Sequence, residues 1–402
     1  MKKHLMAISL SLMTVFTCLV LWLTPKLAFD EVIVMNEMGD ASVLDGKTVS
    51  GSFFYDDTQQ NRSPASVGFD WIDGESNFMG DLSQVNLSQA ILLKGQTNAK
   101  QLAIEEFPLY NRPNLDGVRL LQTAGDLQVW VGVQTRHKDR EPESHFKLVV
   151  IDSVAKTFET LNYELQTQPS NLAEILSFAQ PSENELNFLL KDVNDFHGEH
   201  IVELHIALPA LSVSEAKVDF SGQSDQYLAS PYLEDGLVAP KDYLFYLTDS
   251  YSRTASYGDS TALVEGVVLM DAQTHDTQII TQDKLKLKID GITYGFGHMM
   301  MHGEDLFMYA SSQKGDFGVD MSEAPVAQIF KYVANEFESI HTYDARDFNY
   351  SLRHGIYYQS YAIDDKVVRL KAFDPSVGEV VYQADFHLQT DQDIRMNPLY
   401  VR

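Results

Sequence analysis

The chain has 402 residues, 44% hydrophobic and 22% charged, which is the balance of a globular protein and not of a disordered one. Acids outnumber bases 57 to 30, a formal net charge of −27, and such a field repels phosphate backbones and anionic lipid faces, which excludes nucleic acid as a partner. The one cysteine, Cys18, lies in the N-terminal apolar run, so the rest of the chain can hold neither a disulfide nor a thiolate metal site.

Met1-Lys-Lys-His leads into Leu5–Thr24, twenty residues without a charge, long enough as a helix to cross a bilayer core. The basic start predicts a cytoplasmic N-terminus, a single pass and a body outside the membrane. Residues 1–29 therefore read as an uncleaved signal anchor. Two rivals fit less well: cleavage near Ala28 has Lys26 where a small residue is wanted, and lipidation at Cys18 follows Thr17. Past this segment, three bases (Lys2, Lys3, Lys26) drop out and 57 acids face 27 bases, a charge of −30 that favours a cation or a basic partner. A cysteine-free exported domain suits a bacterial source.

Residues 30–402 read as one extracytoplasmic, all-β domain. TVSGSFFYDD, ASVGFDWIDGE and QAILLKG before residue 118 read as one or two divergent repeats. From 118 to 390 a phrase recurs: strand, polar loop, strand, tight turn, strand. Its copies begin AGDLQVWVGV, SENELNFLL, PKDYLFYLTD, HGEDLFMYA and RHGIYYQSYA. Three copies place Asp at a strand end, at Asp152, Asp271 and Asp374, where the side chain can accept the N–H two residues on and close a turn. Gly378 supplies a left-handed position cheaply. Asn171–Phe178 and Val326–Val333 fit either helix or strand.

The strand that ends in Asp, followed by a short turn and another strand, resembles the outer turn of quinoprotein-type and YVTN-type β-propeller blades. The resemblance implies a β-propeller of six blades, or seven, with an N-terminal stretch pairing onto the last blade so that no sheet edge is left open. It brings no catalytic residue with it.

Four polar stretches, 135–145, 191–200, 249–262 and 311–325, read as loops on one face, and such loops are where binding sites are built. Tyr251, Arg253, Tyr257 and Asp259 are the candidate anchors, with Asp192, Asp195, Asp316 and Asp320 as polar contacts. The run Asp192–His200 also resembles the start of a calcium loop, but Phe196 stands at the fifth position and no Glu closes it, so a polar hairpin turn explains it. His298 and His302 have the i, i+4 spacing of a zinc pair on a helix. On the strand read here they would lie about 13 Å apart, so no metal is expected and buried strand histidines are. No nucleophile elbow or phosphate loop occurs.

The functional reading is a membrane-tethered binding or sensor module for a protein, peptide or glycan, beside a membrane transporter or signalling protein. The alternatives are a glycan hydrolase or lyase pairing Asp259 with Asp316 or Asp320, and a structural assembly platform.

Overall fold

The computed structural model describes residues 31–55, 66–79, 118–192, 195–220, 226–249, 264–312, 327–343, 348–390 and 394–401, apart from single positions and short turns within them. The N-terminal anchor lies outside the described residues. Among the described residues no helix is long and apolar enough to cross a membrane.

The chain opens with β1 (Glu31–Gly39). The first sheet contains β2 (Val49–Tyr55), β3 (Ser66–Ile72) and β4 (Glu75–Met79). The second contains β5 (Val118–Leu121), β6 (Leu127–Lys138), β7 (Glu141–Asp152) and β8 (Thr157–Glu164). The third contains β9 (Ala173–Ser182), β10 (Glu185–Asp192), β11 (Ile201–Ala207) and β12 (Ser212–Val218). The fourth contains β13 (Tyr227–Ala229), β15 (Asp242–Thr248), β16 (Val264–Asp271) and β17 (Thr277–Thr281), while β14 (Leu237–Val238), between β13 and β15 in the chain, adds to the fifth. The fifth contains β18 (Leu287–Ile289), β19 (Ile292–His302), β20 (Asp305–Ser312), β21 (Ala327–Val333) and β22 (Glu336–Tyr343). The sixth contains β23 (Phe348–Arg353), β24 (Ile356–Asp364), β25 (Val367–Asp374) and β26 (Glu379–Gln389), and the chain ends with β27 (Ile394–Met396) and β28 (Tyr400–Val401).

Apart from the strands added from the chain ends and β14, which pairs parallel with β19, each sheet is an antiparallel meander in chain order, the unit from which propeller blades are made. Both segments that read as helix or strand are strands, β9 and β21. The ends of the chain are exchanged: β1 adds to the outer edge of the sixth sheet against β26, as expected, and β27 and β28 add to β2 of the first. Asp385 holds the first exchange. It accepts from Arg369 Nε and Nη2 at 2.7 and 2.9 Å, and from Asn36 Nδ2 of β1 at 2.9 Å. That guanidinium keeps the Asp385 carboxyl below its usual range.

The apolar core lies between sheets. Leu176, Leu189, Phe245 and Met270 pack where the third sheet meets the fourth, and Met300, Ile329, Tyr357 and Phe373 where the fifth meets the sixth. A sheet with both faces covered needs apolar residues on both, which is why β10 is buried along nearly its whole length. Phe146 on β7 and Phe188 on β10 meet at 4.9 Å between centroids, joining the second sheet to the third.

The three aspartates occupy equivalent turns, each between the third and fourth strands of its sheet. Asp152 pairs with Thr157 and Asp374 with Glu379, and Asp271 N donates to Asp276 O at 3.0 Å. Asp271 Oδ1 accepts from Gln273 N and Thr274 N at 2.8 and 2.6 Å, and Asp374 Oδ1 accepts from Ser376 N at 2.8 Å.

One expected loop is a ladder instead. Residues 135–145 extend β6 and β7 into a long hairpin, paired in register from Leu127↔Asp152 to Lys138↔Glu141. Backbone pairing needs no apolar side chain, so a polar extension of a hairpin reads as a loop.

The connection between β13 and β15 draws the sheets together, with β14 pairing parallel to β19 of the fifth. Met301 N donates to Gly236 O at 2.7 Å, and Ala239 N donates to Gln122 O at 2.6 Å. Gly303 N donates to Val238 O at 2.9 Å, and Gln180 N to Pro240 O at 2.6 Å. A Cβ on Gly355 would come within 2.9 Å of Val238 Cγ2. Residues 236–241 thus touch the ends of the first strands of these meanders, or the turns that follow them, in the second, third, fifth and sixth sheets. Those turns are gathered at one side of the molecule around this plug.

Candidate functional site

In an antiparallel meander, the connection from second to third strand leaves the end opposite the other two turns. With the tight-turn ends gathered at the plug, the strand ends Asp192 and Ile201, Thr248 and Val264, and Ser312 and Ala327 lie on the far side. They bracket residues 193–200, 249–263 and 313–326. Tyr251, Arg253, Tyr257, Asp259, Asp316 and Asp320 lie outside the described residues. Asp192 ends β10 with 4% of its surface exposed, and its carbonyl accepts from Asp195 N at 2.9 Å. Asp195 turns its carboxylate onto its own loop, accepting from Gly198 N at 3.0 Å and His200 N at 2.5 Å. Gly198 has φ +80, and a Cβ there would stand 2.7 Å from Leu228 Cδ1. Asp195 thus clamps its own backbone at Gly198 and His200.

His298 and His302 lie on β19, as read from the sequence. His298 is buried between Tyr309 and Tyr357, stacked at 5.2 and 5.5 Å, and burial pushes its pKa down to about 4. Among the described residues no three His, Cys, Asp or Glu side chains are set to hold a metal ion.

A different constellation sits between the third and fourth sheets, and the sequence reading missed it. Glu203, in the middle of β11, is fully buried. Its Oε1 accepts from Tyr243 of β15 at 2.5 Å. Its Oε2 lies 2.9 Å from His205 Nε2 and 2.9 Å from His275 Nε2. Burial and this carboxylate push the Tyr243 hydroxyl far above its ordinary range. A buried carboxylate costs several kcal/mol unless it is hydrogen-bonded, and here three donors from two sheets supply the bonds.

Strand geometry explains the grouping. Glu203 and His205 are two apart on β11 and share a face. Asn187 stands opposite His205, and Glu185 is two residues from Asn187 on β10. His275 comes from the Asp271 turn of the next sheet, at φ +61. Because a carboxylate only accepts, each ring carries its proton on Nε2, and a neutral ring then presents Nδ1 as a lone pair. The His205 and His275 side chains are 33% and 35% exposed, so the cluster opens to solvent. A charged residue in the otherwise apolar strand IVELHIA, with His two residues on, was the available signal.

No family model matches the chain, and no curated protein does. Among solved structures it is similar to the β-propeller domain of the Trilobed protease from Pyrococcus furiosus, at 8% identity over 91% of this chain and 95% of that one, with a TM-score of 0.31. It is also similar to YjhT, at 8% identity over 93% and 97% of the two chains and a TM-score of 0.31. For Pyrococcus horikoshii acylaminoacyl peptidase the figures are 9% identity, 68% of this chain, 46% of that one and a TM-score of 0.32. Likeness at this level says nothing of what the chain binds.

Proposed function

We propose that the chain is a six-bladed propeller tethered outside the cell by residues 1–29, and that it binds a protein, peptide or glycan on the face of its long connections. Each of the six sheets is then one blade, and the exchanged ends, β1 on the sixth sheet and β27 and β28 on the first, close the ring. A membrane transporter or signalling protein is the natural neighbour of such a module.

The observation that carries this reading is the asymmetry of the connections. At the plug side, strands join through short turns such as Gly303–Glu304 and His354–Gly355, and residues 236–241 fill the space between sheets. At the far side lie the strand ends that bracket 56–65, 193–200, 249–263 and 313–326. A rigid scaffold that gathers several long connections at one end, free of the plug, is suited to recognition there. Its acidic charge favours a basic partner and salt-sensitive association.

A photo-crosslinking residue placed at Tyr251 or Tyr257 tests the face, with Asn335 as the control on a tight turn. Crosslinks from both tyrosine positions and none from Asn335 are expected, and the reverse pattern would refute the assignment. Tyr251→Ala, Arg253→Ala and Tyr257→Ala together should abolish the crosslinked product's formation from a labelled neighbouring site at unchanged melting temperature. Protease added to intact cells should degrade the body, whereas soluble body starting near residue 29 would remove the anchor.

A further inference from the structure

We propose that the long-connection side of the molecule faces the bilayer, and that its partner is an integral membrane protein presenting a basic outer segment there. The inference rests on the tether proposed above and adds the direction in which β1 leaves the body. β1 runs antiparallel to β26, from Glu31↔Gln389 to Gly39↔Tyr382. β26 starts beside the Asp374 turn, on the plug side, so Gln389 and Glu31 stand at the far side. Two contacts tie this end to the connection between β24 and β25. Leu388 N donates to Lys366 O at 3.0 Å, and Lys366 Nζ donates to Thr390 O at 2.7 Å.

Chain lengths decide which side meets the membrane. Residues 25–30, six in all, separate the uncharged run that ends at Thr24 from Glu31. Fully extended, six residues reach about 20 Å. β24 has nine residues, which sets the two sides about 30 Å apart. For the plug side to meet the bilayer, the tether would have to run back along a whole strand, and six residues fall short of that.

Reach and charge also select the partner. Whatever binds the far side lies between the body and the bilayer, in a gap that the tether limits to about 20 Å at the rim. That space suits the short outer segments of a membrane-spanning protein. The acidic body repels anionic headgroups, so a lipid surface alone is a poor ligand. Where the tether enters, Ile363 is 46% exposed and Glu31, Asp364 and Asp365 are exposed beside it at the same end of the sixth sheet. Against these acids stand Lys366, its ammonium turned onto Thr390 O, and the exposed Arg395 of β27. An exposed isoleucine among carboxylates fits a basic segment that carries an apolar residue.

Two measurements on the full chain test this. Donor dyes are placed on single cysteines in a Cys18→Ala background: Asp364→Cys and His200→Cys at the far side, Glu304→Cys and Asn335→Cys at the plug side, all at exposed positions. The chain is inserted into phosphatidylcholine vesicles that carry an acceptor lipid and is floated on a density gradient. Energy transfer from the far pair should exceed that from the plug pair by at least about twofold, because the two sides lie about 30 Å apart. A floating chain with equal transfer from both pairs stands edge-on, and one with stronger transfer from the plug pair is inverted. Either result overturns the inference and leaves the tether intact. A body that does not float removes the tether and the inference together. In intact cells, a photo-crosslinking residue at Ile363 should join a basic outer segment of a membrane-spanning protein, identified by mass spectrometry. Asp364→Asn with Asp365→Asn should reduce that adduct by at least about threefold. Adducts with lipid alone or with a soluble protein, or no adduct, would overturn the partner assignment.

Discussion

His275 stands in its turn where Gly378 stands in another: each backbone N–H donates to the carbonyl of the preceding turn aspartate, Asp271 or Asp374, at 3.0 and 2.9 Å. Both residues are left-handed, at φ +61 and +74. Glycine adopts that conformation without strain, and histidine does so at a cost of about 1 kcal/mol. The cost is offset where the ring meets Glu203. Replacing His275 by Gly or by Ala removes the ring equally, and only Ala keeps the strain. His275→Ala should therefore be less stable than His275→Gly by about 1 kcal/mol in denaturant unfolding. The opposite order would mean that the turn does not hold this backbone.

Glu203 should be the energetic centre of the contact between the third and fourth sheets. A hydrogen bond to a charged group contributes about 1.5–3 kcal/mol, so Tyr243→Phe should cost about that much. In a Glu203→Leu background the same change should cost almost nothing, because no carboxylate remains to be left short of a donor. A double-mutant cycle by urea unfolding measures the difference. An equal cost in both backgrounds would show that Tyr243 acts through packing alone.

Strand alternation and the Asp-closed turns made the blade pattern legible because both are local signals, whereas the pairing of the N-terminal stretch followed from the propeller resemblance, which leaves no sheet edge open. The exchange at the other end was not legible: β27 and β28 pair over Phe53↔Met396 to Tyr55↔Ile394 and over Val49↔Val401, runs too short to carry a period. The plug at 236–241 was hidden for a related reason, since Leu237 and Val238 form a two-residue parallel strand beside Pro240. The hairpin at 135–145 was mistaken for a loop because its polar residues show no alternation. Glu203, His205 and His275 could not be grouped without the β10–β11 register and the placing of one sheet against the next. His275 also hid in a position that reads as turn chemistry.

Stability should fall on mild acidification, and His298 is the reason. Burial takes its pKa from 6.5 in the open chain to about 4 in the fold. Between those values the unfolded chain binds the proton and the folded chain does not, so acid favours unfolding. The contribution is fully present near pH 7 and is lost as pH falls from 6.5 toward 4, by on the order of 3 kcal/mol at about 1.4 kcal/mol per unit. His302 acts in the same direction, since burial lowers its pKa also. His298→Phe keeps an aromatic ring between Tyr309 and Tyr357 and removes the titration. Its unfolding free energy should change less between pH 7 and pH 5 than that of the parent. An equal change would assign the acid sensitivity elsewhere.

The plug should be coupled to the sixth sheet through one methyl group. Gly355 has φ +73, and a Cβ placed there would lie 2.9 Å from Val238 Cγ2. Gly355→Ala therefore combines a left-handed alanine, about 1 kcal/mol, with a steric clash of similar size. Val238→Ala removes the methyl that is struck but leaves the backbone strain. The double variant should be more stable than the sum of the single losses predicts, by about 1 kcal/mol, which is within reach of residues in direct contact. Amide exchange gives a second readout. Ala239 N–H and Gly303 N–H, bonded to Gln122 O and Val238 O, should lose protection in Gly355→Ala and regain part of it in the double variant. Strictly additive energies, with protection unchanged, would show that residues 236–241 do not bear on the sixth sheet.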